Sequence, residues 1–495
     1  MAVSGIWFFL SLNGALGVDE VAYAEGASFL MYGGPVANLE HPPLAKIFIS
    51  LGYLVFGRSS LGWRIVTPFF ALAAVYLTYK IGVLLDNRKV GFFASLALVL
   101  THLYSSHAVM AMLDVYLAFF VVLLLFLMLS YFREYDTLSA KQEKIYLLGL
   151  GVASSSAFLC KYYGLLFVAA VCLVLLWKWR RDPRPEGEEN SPSMLARVGF
   201  FLLGFGIVAM LAYIPVLMRI GEVISYLDAA GGYSSQLVTG HRIIVAGAVY
   251  DIPPIWTYVY WLWEYGGWLY VLGLIALLHG LYDCFGRRTP DWQKRGILVA
   301  GLVPFVGLSL LSVKFPRYLI PILPILALSA MMLIWSAVDT LLVKISLRKA
   351  GAILSRTNRL VSVGLMVFII LVPFSPIYTT MQEPDIGNDS GYDIAARIVQ
   401  EHVVANSTRT VVVYSWYGAI LTYYLQGSNL DNLIVEDLDF FSTAQYSELE
   451  NSSVDLVVDL EHQPRFDTTP TYELVHGSHV GKQHVKGDLY IYFMV

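Results

Sequence analysis

Long apolar runs constrain this chain more than any other feature of its sequence. Between Val115 and Phe132 the chain reads VYLAFFVVLLLFLMLSYF, without a single charged residue. A run of about 18 or more apolar residues indicates a helix that spans a bilayer. Only 14% of the 495 residues are charged, whereas soluble proteins carry roughly 25%. The sequence therefore predicts a polytopic membrane protein.

The hydropathy pattern predicts an all-α membrane part with about eleven transmembrane helices, each near the roughly 20 residues that a bilayer core requires. The predicted spans are residues 2–17, 62–85, 90–106, 114–132, 145–160, 163–179, 195–218, 262–283, 296–313, 319–343 and 360–376. The same pattern makes residues 18–61 the first long loop, with juxtamembrane helices inside it.

Basic residues in alternate loops predict the orientation of these spans. More than half of the 33 Lys and Arg lie in five loops, Asp86–Lys89, Arg133–Lys144, Lys178–Glu189, Gly286–Arg295 and Lys344–Arg359. Loops rich in Lys and Arg face the cytoplasm. We therefore expect a multi-pass protein of the plasma membrane whose first loop, and everything after about residue 376, are extracytoplasmic.

The last 120 or so residues differ in composition from the rest of the chain. Ser390–Val403 is typical of an amphipathic helix, and three segments rich in β-branched and aromatic residues predict strands. These strands are Thr408–Trp416, Ser453–Leu460 and Asp488–Val495. The pattern predicts two domains, a transmembrane domain at residues 1–376 and an external α/β domain at residues 377–495.

Charge and cysteine content exclude some classes of function. The net charge of −4 argues against a nucleic-acid partner, which requires a basic surface. The three cysteines, Cys160, Cys172 and Cys284, lie in or beside apolar segments and lack the spacing of metal ligands. We therefore expect these cysteines to be buried thiols.

Ionisable residues gather at the predicted outer ends of the spans. They are Asp19, Glu20, Glu40, His41, Asp114, Lys161, Lys314 and Arg317. Charges at membrane depth are costly and usually mark a functional site. Each residue taken singly has another explanation: Asp114 could cap a helix, Lys161 and Arg317 could extend to lipid headgroups, and Asp19 with Glu20 could solvate a helix end.

Together these side chains suit transfer of a group from a lipid phosphate. Cations would stabilise the phosphate leaving group, and a carboxylate would accept the proton of an attacking hydroxyl. Glu40 and His41, with a second acid, could also hold a divalent metal ion.

The stretch NLEHPPLAK, Asn38–Lys46, places an acid and an imidazole before two prolines. The prolines keep this loop from becoming helical. The following segment, Leu44–Gly57, is predicted to lie along the membrane surface as a helix.

Six segments, taken in order, resemble the protein O-mannosyltransferase and aminoarabinose-transferase superfamily of GT-C integral membrane glycosyltransferases. They are DEVAYAEGASFL, EHPPLAK, GWRIVTPFFALAAVYLTYKIG, MLDVYLAFF, SAFLCKYYGLL and KFPRYLIPILPILAL. The resemblance covers about residues 1–376, and "DE" followed by HPPL-x-K is its most specific element. His41 matches the mannosyltransferase-like form of the motif, since transferases to lipid A tend to carry Lys there.

The resemblance implies a role for each matching residue. Asp19, beside Glu20, matches the family's first-loop acid, a candidate general base. Asp114 matches the second acid. Glu40 and His41 match the segment that lines the site and contacts phosphate or metal. Lys161 and Arg317, together with Lys314, match the basic positions expected to bind the lipid phosphate.

The function expected from this resemblance is that of an inverting glycosyltransferase. It would transfer a monosaccharide from a polyprenyl monophosphate, dolichyl or undecaprenyl, to a protein, glycan or lipid acceptor on the external face. A transporter or flippase of lipid-linked sugars is the main alternative, although the chain shows no obvious internal repeat. A receptor and an oligosaccharyltransferase with a pyrophosphate donor are further alternatives. The sugar, the acceptor and the need for a metal stay open.

Overall fold

A computed structural model provides the fold of most of the membrane part and of a smaller share of the C-terminal part. It describes residues 8, 9, 12, 18–34, 36–181, 192–229, 243–246, 248–250, 252–286, 291–348, 392–405, 410–415, 421, 425, 430, 432–437, 454–460, 475, 481–486 and 489–493.

Helices dominate the described residues. They are α1 Val18–Tyr32, α2 Leu44–Phe56, α3 Ser60–Arg64, α4 Thr67–Leu85, α5 Arg88–Leu100, α6 His102–His107, α7 Leu113–Glu134, α8 Ala140–Cys160, α9 Leu165–Arg181, α10 Met194–Leu217, α11 Ile220–Ala229, α12 Thr257–Gly266, α13 Trp268–Gly286, α14 Trp292–Leu310, α15 Leu323–Arg348 and α16 Tyr392–Ala405. The strands are β1 Ile243–Val245, β2 Ala248–Tyr250, β3 Val411–Ser415, β4 Leu433–Asp437, β5 Leu456–Leu460, β6 Gly481–Lys486 and β7 Leu489–Phe493.

Apolar helices confirm that this is an integral membrane protein. Within the described residues, five helical segments are long and apolar enough to cross a bilayer: Ser60–Leu85, Leu113–Thr137, Tyr162–Arg181, Met194–Leu217 and Leu323–Thr340. The total of about eleven spans stays a prediction. The predicted span at 360–376 and most of that at 2–17 lie outside the described residues.

Two predicted spans are interrupted in the structure. The run at 90–106 divides into α5 and α6, because Thr101 leaves the helix in an extended conformation. The run at 262–283 divides into α12 and α13 at Gly267, whose φ of 68° is accessible mainly to glycine. The first loop contains α1, α2 and α3, of which α2 coincides with the helix predicted at Leu44–Gly57.

Glycines allow two of the membrane helices to approach closely. A Cβ on Gly151 of α8 would lie 2.0 Å from the carbonyl oxygen of Phe201, and one on Gly204 of α10 would lie 2.2 Å from that of Leu148. Small residues at such crossings let the backbones touch, which strengthens packing in lipid. Larger residues at either position would separate α8 from α10.

A buried polar network joins the ends of α7, α8, α9 and α10. Arg197 Nε lies 2.8 Å from Glu143 Oε1, and the Tyr131 hydroxyl donates to the same oxygen at 2.9 Å. Trp179 Nε1 donates to the Tyr131 hydroxyl at 3.0 Å. The Lys178 ammonium lies 4.2 Å from the centroid of the Tyr135 ring. This network is called the α7 C-terminal network below.

The chain divides into two compact units. The first comprises Met1–Leu12, Tyr23–His241 and Ile252–Met381, and the second comprises Asn13–Ala22, Arg242–Asp251 and Gln382–Val495. The helical bundle belongs to the first unit. The domain boundary at residue 376 stays a prediction.

The C-terminal part contains the predicted small α/β sheet. Its five strands follow the order β4-β3-β5-β7-β6. β3 pairs in parallel with β4 and β5, whereas β7 is antiparallel to β5 and β6. The three predicted strands correspond to β3, β5 and β7, and the helix predicted at 390–403 corresponds to α16. β4 and β6 were not predicted. An all-α membrane protein with a C-terminal α/β part is therefore confirmed as the fold class.

Candidate active site

Asp114 lies in the first turn of α7 and is fully buried. The N-cap of this helix is Met112, so Asp114 does not cap it. A carboxylate in the first turn is stabilised by the positive end of the helix dipole. Burial of a charge nevertheless requires partners.

Lys161 supplies the nearest partner. Its Nζ donates to both carboxylate oxygens of Asp114, at 2.8 and 3.0 Å, and its side chain is 2% exposed. This geometry excludes extension of Lys161 to lipid headgroups. The Tyr163 hydroxyl donates to Asp114 Oδ1 at 2.6 Å. Two residues of one turn thus bind the same carboxylate.

The end of α8 explains how this turn reaches Asp114. Lys161 leaves the helix in an extended conformation, and Tyr162–Gly164 form a 3-10 turn whose Gly164 N–H donates to the Lys161 carbonyl at 2.8 Å. A Cβ on Gly164 would lie 2.4 Å from the carbonyl oxygen of Ala157. Glycine therefore allows the chain to turn tightly against α8.

Arg317 is the second cation near Asp114. It lies in the 3-10 turn Pro316–Leu319, with its Nε 4.0 Å from Asp114 Oδ2 and its side chain 18% exposed. The guanidinium carbon lies 4.0 Å from the centroid of the Phe315 ring. Tyr318 follows in the same turn, and its ring lies 4.9 Å from Lys161 Nζ. Aromatic rings thus border both cations.

His41 lies close to this cluster. Its ring centroid is 5.5 Å from that of Tyr23, and Lys161 Nζ is 5.9 Å from the Tyr23 ring centroid. Burial, followed by the positive charges of Lys161 and Lys46, lowers the pKa of His41 well below its usual 6.5. The imidazole is therefore neutral at neutral pH and can donate or accept a hydrogen bond.

Asp114, Lys161, Tyr163, Arg317 and His41 are called the Asp114 cluster from here on. Two basic side chains face one carboxylate in it, while the imidazole is neutral. The balance favours an anionic ligand. Of the residues predicted from the sequence, the structure brings together Asp114, Lys161, Arg317 and His41.

The metal hypothesis has little structural support. Glu40 Oε1 accepts a hydrogen bond from Asn38 Nδ2 at 2.8 Å, within its own loop. Among the described residues, no three His, Cys, Asp or Glu side chains group together as a metal site would require. The charged groups that act most strongly on His41 are also lysines, which would repel a metal ion. The described residues around Glu40 and His41 therefore do not favour a metal, and a metal ion held by these two residues stays a prediction.

The other predicted residues have different surroundings. Lys314 Nζ is buried and donates to the backbone carbonyls of Pro253, at 3.0 Å, and Leu311. These bonds tie two loops together, and a role for Lys314 in phosphate binding stays a prediction. Asp19 and Glu20 occupy the first turn of α1, where Glu20 is fully buried. Both belong to the second compact unit, and their catalytic roles also stay predictions.

Aromatic side chains of the site were missed in the sequence. Tyr163 and Tyr318 stand beside or near the predicted cations in KYYG and FPRYL, which is a usable signal because aromatic rings favour nearby cations. Tyr23, in AYAEG, has no such neighbour in sequence. The sequence indicated Lys46 only as the last residue of the HPPL-x-K motif. Its contacts are described below.

Comparison with known proteins shows which families and folds this chain resembles. Residues 40–186 match the profile of the family described as dolichyl-phosphate-mannose-protein mannosyltransferase. An uncharacterised protein of Aquifex aeolicus is 32% identical over 166 residues, and the match covers 32% of this chain and 32% of that protein. The chain thus matches about a third of the length of this relative.

Solved structures match over almost the whole chain. ArnT from Cupriavidus metallidurans, bound to undecaprenyl phosphate, superposes with a TM-score of 0.62 at 15% identity, over 100% of this chain and 97% of that one. The oligosaccharyltransferase AglB from Archaeoglobus fulgidus, in complex with an inhibitory peptide and a dolichol-phosphate, gives 0.55 at 14% identity, over 93% of this chain and 68% of that one. The chain shares their fold, and the predicted resemblance to the GT-C superfamily is confirmed.

Proposed function

We propose that this protein is an inverting glycosyltransferase that takes a monosaccharide from a polyprenyl monophosphate on the external face of the plasma membrane. The observation that carries the proposal is the contact of Lys161 and Arg317 with the buried carboxylate of Asp114, which orients both basic side chains. A phosphate on a long apolar tail suits a site at the end of a membrane helix. ArnT was crystallised with undecaprenyl phosphate and AglB with a dolichol-phosphate, which supports this class of donor.

The cations would act on the leaving group. An ammonium has three N–H donors and a guanidinium five, so Lys161 and Arg317 can bind phosphate oxygens while they keep their contacts with Asp114. Negative charge grows on the phosphate oxygen as its bond to the anomeric carbon breaks. Positioned cations stabilise that charge more in the transition state than in the ground state. His41, neutral and near Lys161, would add a hydrogen bond to the same phosphate.

The acceptor would attack the anomeric carbon from the opposite face of the sugar. Its hydroxyl oxygen forms the new bond, the electron pair of the old bond leaves with the polyprenyl phosphate, and the proton passes to a carboxylate. Asp114 is bound by Lys161 and Tyr163, which makes it a poor base. Asp19 is the proposed base, and Asp114 orients the cations. The acceptor is a protein, glycan or lipid.

Purified protein in lipid nanodiscs, supplied with a panel of radiolabelled polyprenyl-monophosphate sugars and a membrane extract as acceptor, tests the proposal. We expect wild type to turn over one donor, and Asp19→Asn to fold and bind the donor without transferring the sugar. Full activity of Asp19→Asn would remove Asp19 from the mechanism. Donor binding without release or transfer of sugar, in wild type, would instead favour a flippase.

A further inference from the structure

Lys46 is a buried lysine outside the Asp114 cluster. It is the third residue of α2, and its side chain is only 1% exposed. Its Nζ donates to the backbone carbonyl oxygens of Asn38 and of His41, the latter at 2.8 Å, and lies 3.4 Å from Asn38 Oδ1. A buried side-chain nitrogen that donates hydrogen bonds to two carbonyls of one loop fixes the path of that loop.

The loop that Lys46 binds has little regular structure of its own. Asn38 has a φ of 54°, in the left-handed region that most residues avoid. Pro42 and Pro43 follow His41 and have no backbone N–H to donate. Contacts from side chains must therefore hold the Asn38–His41 segment in place, and Lys46 supplies two of them.

One face of α1 supports both the lysine and the histidine. A Cβ on Gly26 would lie 2.9 Å from Lys46 Cδ and 3.2 Å from the Ala37 carbonyl oxygen. Tyr23, one turn earlier, packs its ring edge-on against that of His41. Gly26 thus provides the space in which the stem of Lys46 passes α1 to reach the loop.

We propose that Lys46 is a positioning residue of the donor site: it fixes the His41 backbone and thereby places the imidazole beside Lys161, where the donor phosphate binds. Lys46 acts through His41 and does not touch the donor. This inference rests on the proposed function, since it names the residue that sets the geometry of the same site.

A double-mutant cycle in nanodiscs tests this dependence. Lys46→Met keeps the length of the stem and removes the ammonium. We expect it to lower kcat/KM for the polyprenyl-phosphate sugar about tenfold, mainly through a higher KM, because the imidazole is displaced. In the His41→Ala background the same change should alter kcat/KM by less than about twofold. If Lys46→Met lowered kcat/KM by the same factor in both backgrounds, the two substitutions would act independently and the proposal would be overturned.

Gly26→Ala provides a second variant that should fold. Alanine is a better helix former than glycine, so α1 itself is not weakened. Its methyl group displaces the Lys46 stem while the lysine stays in the sequence. We expect the KM for the donor to rise with the thermal midpoint kept. An unchanged KM would contradict the proposal.

Hydrogen exchange of the peptide that contains residues 38–41 gives a readout without any donor. We expect faster exchange there in Lys46→Met and unchanged exchange in Lys294→Met, whose side chain in the wild type is 57% exposed. Unchanged exchange in both variants would refute the positioning role. If exchange accelerates but no donor is turned over by wild type, the positioning role stands and the proposed function fails.

Discussion

The ammonium of Lys161 binds both carboxylate oxygens of Asp114, at 2.8 and 3.0 Å, across 47 positions of sequence. Both side chains are buried, so each charge depends on the other. Removal of one partner from a buried pair typically costs about 3–5 kcal/mol, because the remaining charge is uncompensated. The pair is therefore important for the stability of the site.

Single and paired substitutions at this contact should separate stability from function. We expect Asp114→Asn to lower the free energy of unfolding by roughly 3 kcal/mol and to abolish sugar transfer. Asp114→Asn with Lys161→Met should recover much of the stability but none of the activity. Thermal unfolding in detergent and the donor assay measure the two effects.

The Arg197–Glu143 pair is the matched control. It is buried like the first pair, with its atoms 2.8 Å apart, but belongs to the α7 C-terminal network. Glu143→Gln should lower stability to a comparable extent and leave kcat of the folded fraction unchanged. Equal loss of kcat in both variants would mean that Asp114 acts only through stability.

Tyr163 should make a smaller contribution. Tyr163→Phe removes a hydrogen bond to a charged group, which is worth about 1.5–3 kcal/mol. We expect a roughly tenfold or greater loss of kcat/KM, because Lys161 and Asp114 are less well oriented. Tyr162→Phe is the control, since the ring of Tyr162 packs against Phe158. Similar losses from both substitutions would argue against a specific role for the Tyr163 hydroxyl.

Arg317 should affect donor binding more than folding. It is partly exposed, and Asp114 keeps Lys161 when Arg317 is replaced. We expect Arg317→Ala to weaken binding of a polyprenyl phosphate about a hundredfold, equivalent to about 2.7 kcal/mol, and Arg317→Lys to recover part of it. Arg58→Ala, at an exposed arginine, is the control. Unchanged phosphate binding in Arg317→Ala would exclude this residue from the donor site.

His41 should make the protein sensitive to mild acid. Its folded-state pKa lies far below 6.5, whereas the unfolded chain takes up a proton near 6.5. The stabilisation is complete above pH 6.5 and is lost as the pH falls below it, because the unfolded state then binds more protons. At pH 5 the loss is about 2 kcal/mol.

The difference in unfolding free energy between wild type and His41→Gln, measured at pH 7.5 and pH 5, isolates this contribution. We expect the advantage of wild type to shrink by about 2 kcal/mol at the lower pH. A difference that does not change with pH would show that the pKa of His41 is the same in the folded and unfolded protein.

The membrane helices could be predicted from the sequence because a long apolar run that crosses a bilayer must adopt a helical conformation. The positions at which these helices are interrupted were harder to predict. Gly267 lies within an unbroken apolar run, and only its positive φ reveals that α12 ends there. The helix at Val18–Tyr32 could have been recognised, since Asp19 and Glu20 stand in its first turn, where acids are favoured.

Residues of the candidate site could be collected from the sequence by topology, but their partners could not. The contact between Lys161 and Asp114 depends on how α7 and α8 pack. Lys314 illustrates the difference: it has the same charge and predicted depth as Lys161, yet it binds backbone carbonyls. The charge of a lysine and its predicted depth in the membrane do not reveal whether its side chain binds a carboxylate.

Buried polar contacts at both ends of α7 have a consequence for the surrounding lipid. Asp114 and Tyr131, which contacts Glu143, lie 17 residues apart on this helix. At 1.5 Å per residue they are about 26 Å apart, close to the roughly 30 Å of a hydrocarbon core. Tilting or sliding of α7 would break a buried contact at one end, either the pair of Asp114 with Lys161 or the hydrogen bond from Tyr131 to Glu143. When the thickness of the bilayer changes, the lipid chains must therefore stretch or compress around a helix whose depth the protein itself sets.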